Sequence, residues 1–332
     1  MLKKMFQGTP APVADAAPPS PEMPPEVPAD VAPAASAEAL FDGRLEALER
    51  RLAGMDALED RLARTEQTLQ NRTNELNRLK YNATLVSRTM ESVFRAMFGR
   101  SLQDFAGIHA GERCFVIGNG PSLNKIDMTR LAHEITLGSN RAFLGFEQWG
   151  FVYNYWMLQD RVLAEQNAAE IAERMPAEVV KFLPYTILKH FDVSKLENLV
   201  PVHLDYTRQC TFSNDPSALH EGFTVTVGLL QIAAIMGCRQ IILVGADHNY
   251  PIPDENVNAD RKWSGKGLET HFSAAYTNHE NGQVWEMPDV EKMNRAYDAA
   301  ARWAEENGIE ILNATPGSKL NSFPKVDYDS LF

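Results

Sequence analysis

Five polar segments follow apolar runs in this chain, and they carry most of the side chains able to do acid–base or ligand-binding chemistry. The first is Gly118-Asn119-Gly120-Pro121-Ser122, after the apolar Cys114 to Ile117. Two glycines let backbone approach a ligand closely, and a helix opening at Pro121 offers N–H donors to a phosphate, with Ser122 free to cap. The same residues also suit a plain tight turn. Neither the full dinucleotide fingerprint nor GxxxxGK[ST] is present, so an ordinary NAD enzyme or P-loop ATPase is disfavoured. Asn140 and Arg141 follow the second run, the amide suited to a base or sugar and the guanidinium to phosphate or carboxylate. Gln159 and Asp160 follow the third. After Gln240 to Val244 come Asp247, His248, Asn249 and Tyr250. There Asp247 suits a ribose hydroxyl or a magnesium ion, and His248 a base or a satisfied loop imidazole. The last segment, Asn313 to Lys319, places Thr315, Ser318 and Lys319 as donors toward a phosphate.

Pro251 to Gly267 is too long and polar for a plain connection and is expected to be an active-site lid, followed by His271, Tyr276 and His279. A histidine beside a phosphate site is a general-base candidate, here His271. HExxH, paired CxxC and GxSxG patterns are absent, which disfavours zinc hydrolysis and serine hydrolase chemistry.

Three regions position these groups. Nine of the 19 prolines lie between Pro10 and Pro33, so residues 1–39 are expected to form a disordered Pro/Ala-rich tail. Residues 40–99 have helix composition, with Leu48, Met55, Leu62, Leu69 and Leu76 seven apart and Leu45 and Leu52 beside them. Farther on the second seam becomes Glu59, Glu66 and Thr73, a thin stripe suited to a homomeric coiled coil. Residues 100–332 alternate apolar runs with helical stretches. Candidate strands are Cys114 to Gly118, Ile135 to Gly138, Tyr153 to Leu158, Val180 to Leu183, Val202 to Leu204, Gln240 to Val244 and Ile309 to Leu312. Runs without polar alternation are strands covered on both faces, so this region is expected to be an α/β, Rossmann-like doubly wound domain with a mostly parallel sheet. Ligands of such sheets bind beyond the carboxyl ends of the strands.

A formal charge of −12, from 32 Lys plus Arg against 44 Asp plus Glu, argues against nucleic-acid binding. Three scattered cysteines fit a reducing compartment, and no run is long and apolar enough for a membrane span. A cytoplasmic location is expected.

The ordered set Ile117-Gly-Asn-Gly-Pro-Ser-Leu-Asn-Lys-Ile-Asp127, Gly138-Ser-Asn-Arg141, Thr224-Val-Thr226, Met236 to Asp247, Asn313 to Ser318 and Val326 to Phe332 resembles the MptE-like superfamily. That group is similar to 6-hydroxymethylpterin pyrophosphokinase, to motility accessory factor glycosyltransferases and to bacterial sialyltransferases. The resemblance covers about Gly111 to the end. It implies that Asn119 and Gly120 hold the nucleotide, that Asn140 contacts it and that Asp247 is the acid after the strand. Asn249 stands where the sialyltransferases carry a phosphate-stabilising tyrosine, with Tyr250 one step later. The lid histidine of that family corresponds to His271 or His279.

Together these readings imply a transferase that moves a nonulosonic, sialic-acid-like sugar from a CMP donor to a glycan or protein hydroxyl without a cofactor. Gly118, Asn119, Gly120 and Ser122 would cradle the nucleotide, Asn140 and Asp247 fix base or ribose, Tyr250 or Lys319 neutralise the departing phosphate, and His271 or His248 take the acceptor proton. The alternatives are an ATP-dependent hydroxymethylpterin diphosphokinase with magnesium on Asp247 and Asp160, and a non-catalytic scaffold that binds a nucleotide and self-associates through its coiled coil.

Overall fold

The structure is a computed structural model that describes residues 37–253, 256–264, 270–276 and 283–332. Residues 1–36 of the expected tail, His279 and part of the expected lid lie outside the described residues, while residues 37–39 open a helix. The chain divides into two units, Met1–Asn77 and Arg78–Phe332. The first is described from residue 37 onward as helix, part of α1 (Ala37–Phe98), whose run of Leu, Arg, Glu and Ala contains no proline. No helix among the described residues is long and apolar enough to cross a membrane.

The second unit is built on a seven-stranded sheet. Its strands are β1 (Arg113–Ile117), β2 (Ile135–Ser139), β3 (Tyr155–Met157), β4 (Val180–Pro184), β5 (Leu199–Val202), β8 (Gln240–Val244) and β11 (Glu310–Asn313). Their order is β11-β8-β1-β2-β3-β4-β5 and every pairing is parallel. Two short pairs lie outside it, β6 (Leu204–Asp205) with β7 (Leu219–His220) and β9 (Lys262–Trp263) with β10 (Trp285–Glu286). The chain runs outward from β1 to β5 and returns on the far side of β1 as β8, so β1 and β8 flank the topological switch point.

Both faces of the sheet are covered. Cys114 and Val116 of β1 face a core shared with α4 (Val225–Ile235) and α5 (Val290–Glu306), while Phe115 and Ile117 face α2 (Phe146–Trp149) and α3 (Arg161–Arg174). This double burial explains why the strands read as unbroken apolar runs. Helix α4 is buried along its whole length, as its sequence requires, and α5 starts where Asp289 accepts the Lys292 N–H at 3.1 Å.

Two readings of the sequence need correction. After Gly120 the chain forms short 3-10 turns, Pro121–Lys125 and Met128–Leu131, and no α-helix, so there is no long macrodipole there. Asp127, accepting from Thr129 N at 3.1 Å, starts the second turn and ends continuity with the first. The expected strand Val202 to Leu204 is instead the end of β5 and the start of β6. Pro201 reads as a breaker, yet β5 is the outermost strand, where a missing N–H is tolerated.

Lys181 on β4 is only 1% exposed. Its ammonium donates to the carbonyls of Pro176, Val179 and Glu197, each at 2.8 Å, and burial pulls its pKa down to about 8.

Candidate functional site

The switch point itself is packed shut by the chain's own groups. A Cβ on Gly118 would lie 2.3 Å from the Gly245 carbonyl oxygen, and one on Gly120 would lie 1.8 Å from Asp247 Oδ2. The Gly118 and Gly120 N–H groups donate to the carbonyls of Val244 and Gly245, at 2.8 and 2.9 Å. Ser122, fully buried, donates its N–H to Asp247 Oδ1 at 3.2 Å and its hydroxyl to Oδ2 at 2.5 Å. The anion held by the first turn is therefore the Asp247 carboxylate, and the expected cradle of Gly118, Gly120 and Ser122 is not open to a phosphate. Burial raises the Asp247 pKa, while the bonds from Ser122 oppose that rise. Lys319 donates its backbone N–H to the Asp247 carbonyl at 2.8 Å, and its exposed side chain does not line the cavity described next.

That cavity, of about 650 Å³, opens beyond β2 and β3. Of the residues singled out from sequence, Asn140, Gln159, Asp160, Tyr250, His271 and Tyr276 line it. Asn140 takes a left-handed backbone, φ 49°, which asparagine tolerates better than most residues, and this brings its side chain to the Tyr276 hydroxyl. Asn140 Oδ1 and Gln159 Oε1 are buried without a partner among the described residues. Both are buried acceptors still owed a donor, on residues that line the cavity. Asp160 caps α3 through the Leu163 N–H at 3.0 Å, and burial raises its pKa.

His271 stacks on Tyr276 with ring centroids 3.7 Å apart and planes 7° apart. Its Nδ1 lies 2.9 Å from Thr270 Oγ1, and burial, reinforced by the nearby Arg141 charge, pulls the imidazole pKa down to about 3. The ring is therefore neutral at ordinary pH. His248 does not line the cavity. Its Nε2 pairs with Asn294 Oδ1 at 2.7 Å, and its Nδ1 is buried without a partner among the described residues.

The segment bearing His271 is fastened to the strand ends. The Phe272 N–H donates to the Asn119 carbonyl at 3.0 Å, and Asn124 Nδ2 donates to the Phe272 carbonyl at 2.7 Å. Arg141, 3% exposed, donates to the carbonyls of Ala275 and Tyr276 and forks onto Glu170 at 2.6 and 2.9 Å. Its guanidinium is thus an anchor for this segment and not an open phosphate site. Asn119 adds Nδ2 to Ser139 Oγ at 2.8 Å, tying the first turn to β2.

Sequence reasoning missed several lining groups. Glu221 accepts from Gln159 Nε2 at 2.9 Å, and burial raises its pKa. Trp263 and Trp285, on β9 and β10, pack with centroids 5.2 Å apart and also line the cavity. The signal for Glu221 was its place in Glu-Gly-Phe-Thr224, just before the wholly apolar α4.

The family model described as "MptE-like: 6-hydroxymethylpterin diphosphokinase MptE-like" matches residues 87–253. No curated protein matches the chain. Among solved structures, the MAf glycosyltransferase from Magnetospirillum magneticum AMB-1 aligns over 70% of this chain at 15% identity and a TM-score of 0.42. The chain spans only 38% of that protein's length. The sialyltransferase CstII from Campylobacter jejuni, in complex with cytidine-5'-monophosphate, aligns over 65% of this chain and 85% of its own at 14% identity and a TM-score of 0.31.

Proposed function

This chain belongs to the MptE-like family, and from that premise we propose that it is a nucleotide-dependent transferase acting in the cavity beyond β2 and β3. The donor we assign is a CMP-linked nonulosonic sugar, and the acceptor a hydroxyl of a glycan or protein. The observation that carries this reading is one wall holding a neutral imidazole beside two unpartnered amide oxygens, in a cavity of small-molecule size.

Cytosine and ribose present N–H and O–H donors, which Asn140 Oδ1 and Gln159 Oε1 can accept. Asp160 and Glu221 suit the hydroxyls of a sugar. Tyr250, an exposed residue that lines the cavity, supplies a hydroxyl to the departing phosphate. With Nδ1–H donating to Thr270, His271 presents the Nε2 lone pair to the acceptor hydroxyl. A conjugate acid with a pKa near 3 holds a proton poorly, so the donor's anionic phosphate must raise that pKa when it binds. The proton taken at Nε2 then stays on a ring facing a negative charge.

The family's description also names diphosphate transfer, whose expected clamp is magnesium on Asp160 and Asp247. The residues do not fit that pair: Asp247 is engaged by Ser122, and only Asp160 lines the cavity. The deciding test is calorimetric titration with CMP and, separately, with ATP plus magnesium. CMP binding that survives EDTA and is lost in Asn140→Ala supports the proposal, and His271→Gln is expected to lower kcat by about 10²-fold or more while leaving CMP affinity intact. Binding of ATP and a hydroxymethylpterin only in magnesium, with none of CMP, would replace it with diphosphate transfer.

A further inference from the structure

Helix α1 carries one apolar column at unbroken seven-residue spacing: Phe41, Leu48, Met55, Leu62, Leu69, Leu76, Ala83, Met90 and Met97. The second column changes sides. At the start it lies three residues before the first, at Leu45 and Leu52. From Leu58 it lies three residues after, at Leu58, Thr65, Arg72, Leu79, Val86 and Val93. The steps Leu52, Met55, Leu58 are both of three residues, the local overwinding that coiled coils accommodate as a stammer. Taking Glu59, Glu66 and Thr73 as the continuing seam therefore follows the wrong side after Leu52, and the stripe does not thin to one leucine per two turns. Met55, Leu58, Leu62, Leu69, Leu76, Leu79, Val86, Met90, Val93 and Met97 are between 37% and 67% exposed.

We infer that α1 pairs with the same helix of a second copy of this chain, parallel and in register, along this seam. The flanking charges select that occupant. With Met55, Leu62, Leu69 and Leu76 as the first core position, the residues before them include Arg61 and Glu75, and those flanking the second column include Glu66 and Lys80. In a parallel, in-register pair the facing flanks are five residues apart, so Arg61 meets Glu66 of the other copy and Glu75 meets its Lys80. Both contacts are attractive and each occurs twice by symmetry, and none of the other flanking pairs between Gly54 and Phe94 joins like charges. Thr65 fits a seam because its hydroxyl already donates to the Arg61 carbonyl at 2.8 Å. Arg72, the one charged seam residue, extends its guanidinium along its apolar stem toward solvent and penalises shifted registers.

The test uses the full chain in analytical ultracentrifugation. The expected mass is twice that of the protomer, with Arg61→Glu raising the dimer dissociation constant about tenfold and Arg61→Glu combined with Glu66→Arg restoring it. Residues five apart do not pair within one helix, so this rescue reads a contact between copies. Under mild oxidation, Leu48→Cys is expected to give a disulfide-linked dimer that the parent chain does not. A protomer mass for the parent at tens of micromolar, failure of the double reversal to restore association, or absence of the Leu48→Cys cross-link would each overturn the parallel in-register pair. Circular dichroism of every variant shows that the helix itself persists.

Discussion

Replacing Asp247 by alanine separates a carboxylate that holds the chain together from one that holds a ligand. The side chain accepts two bonds from a fully buried Ser122, at 3.2 Å from the N–H and 2.5 Å from the hydroxyl. A hydrogen bond to a charged group contributes about 1.5–3 kcal/mol, and a buried donor left without a partner costs about 1–3 kcal/mol. Desolvation of the carboxylate offsets part of this, so the expected loss is about 3 kcal/mol. The pH dependence has a defined sign. Because burial raises the folded pKa above its unfolded value, the native state binds more protons across that window, and the contribution of Asp247 falls as pH rises through it. The stability gap between parent and variant is therefore wider at acid pH than at pH 7. Urea unfolding followed by tryptophan fluorescence gives the gap, and calorimetric titration of CMP on the folded variant gives the affinity. Unchanged urea midpoints together with abolished nucleotide binding would refute the reasoning and return Asp247 to the ligand.

His271→Phe is expected to keep the stack on Tyr276 and to flatten the acid limb of the stability curve. The folded pKa lies near 3 against 6.5 unfolded, so stability is full above the unfolded value and is lost at about 1.4 kcal/mol per pH unit as pH falls between them. Melting temperatures of parent and variant from pH 7 down to pH 4.5 measure the difference, and parallel slopes would show that the ring is not buried as a neutral group. Arg141→Lys removes the planar fork that joins Glu170 to the carbonyls of Ala275 and Tyr276. It is expected to cost about 1–3 kcal/mol in urea unfolding, since a lysine ammonium cannot reach Glu170 and both carbonyls at once and a buried acceptor loses its donor.

The parallel sheet was legible because strands covered on both faces must be apolar throughout, as Ile241-Ile242-Leu243-Val244 is. The order of those strands, and the 3-10 turns after Pro121, were not. Asn140 and His271 were legible as polar groups at strand ends. The glycines were misread for a physical reason. A glycine between a strand and a proline looks the same whether the space beside it belongs to a ligand or to the chain's own Asp247, 125 residues beyond Ser122. Trp263 and Trp285 were missed because nothing local marks them, and Glu221 because its one local cue, a place just before the apolar α4, does not say which strand end it will face; all three join the cavity only after the chain has folded back. The helical seam shows the reverse case, since its side change at Leu58 was present in the spacing all along.

The clasp of Lys181 makes that amine a chemical clock for the outer strands. Acylating reagents attack only an accessible, unprotonated amine, and this one is wrapped by three carbonyls, two from the segment before β4 and one from the segment before β5. Its modification must wait for β4 to part from its flanking loops. The rate at which Lys181 acquires a mass tag, against exposed amines such as Lys195, therefore times the opening of that edge of the sheet.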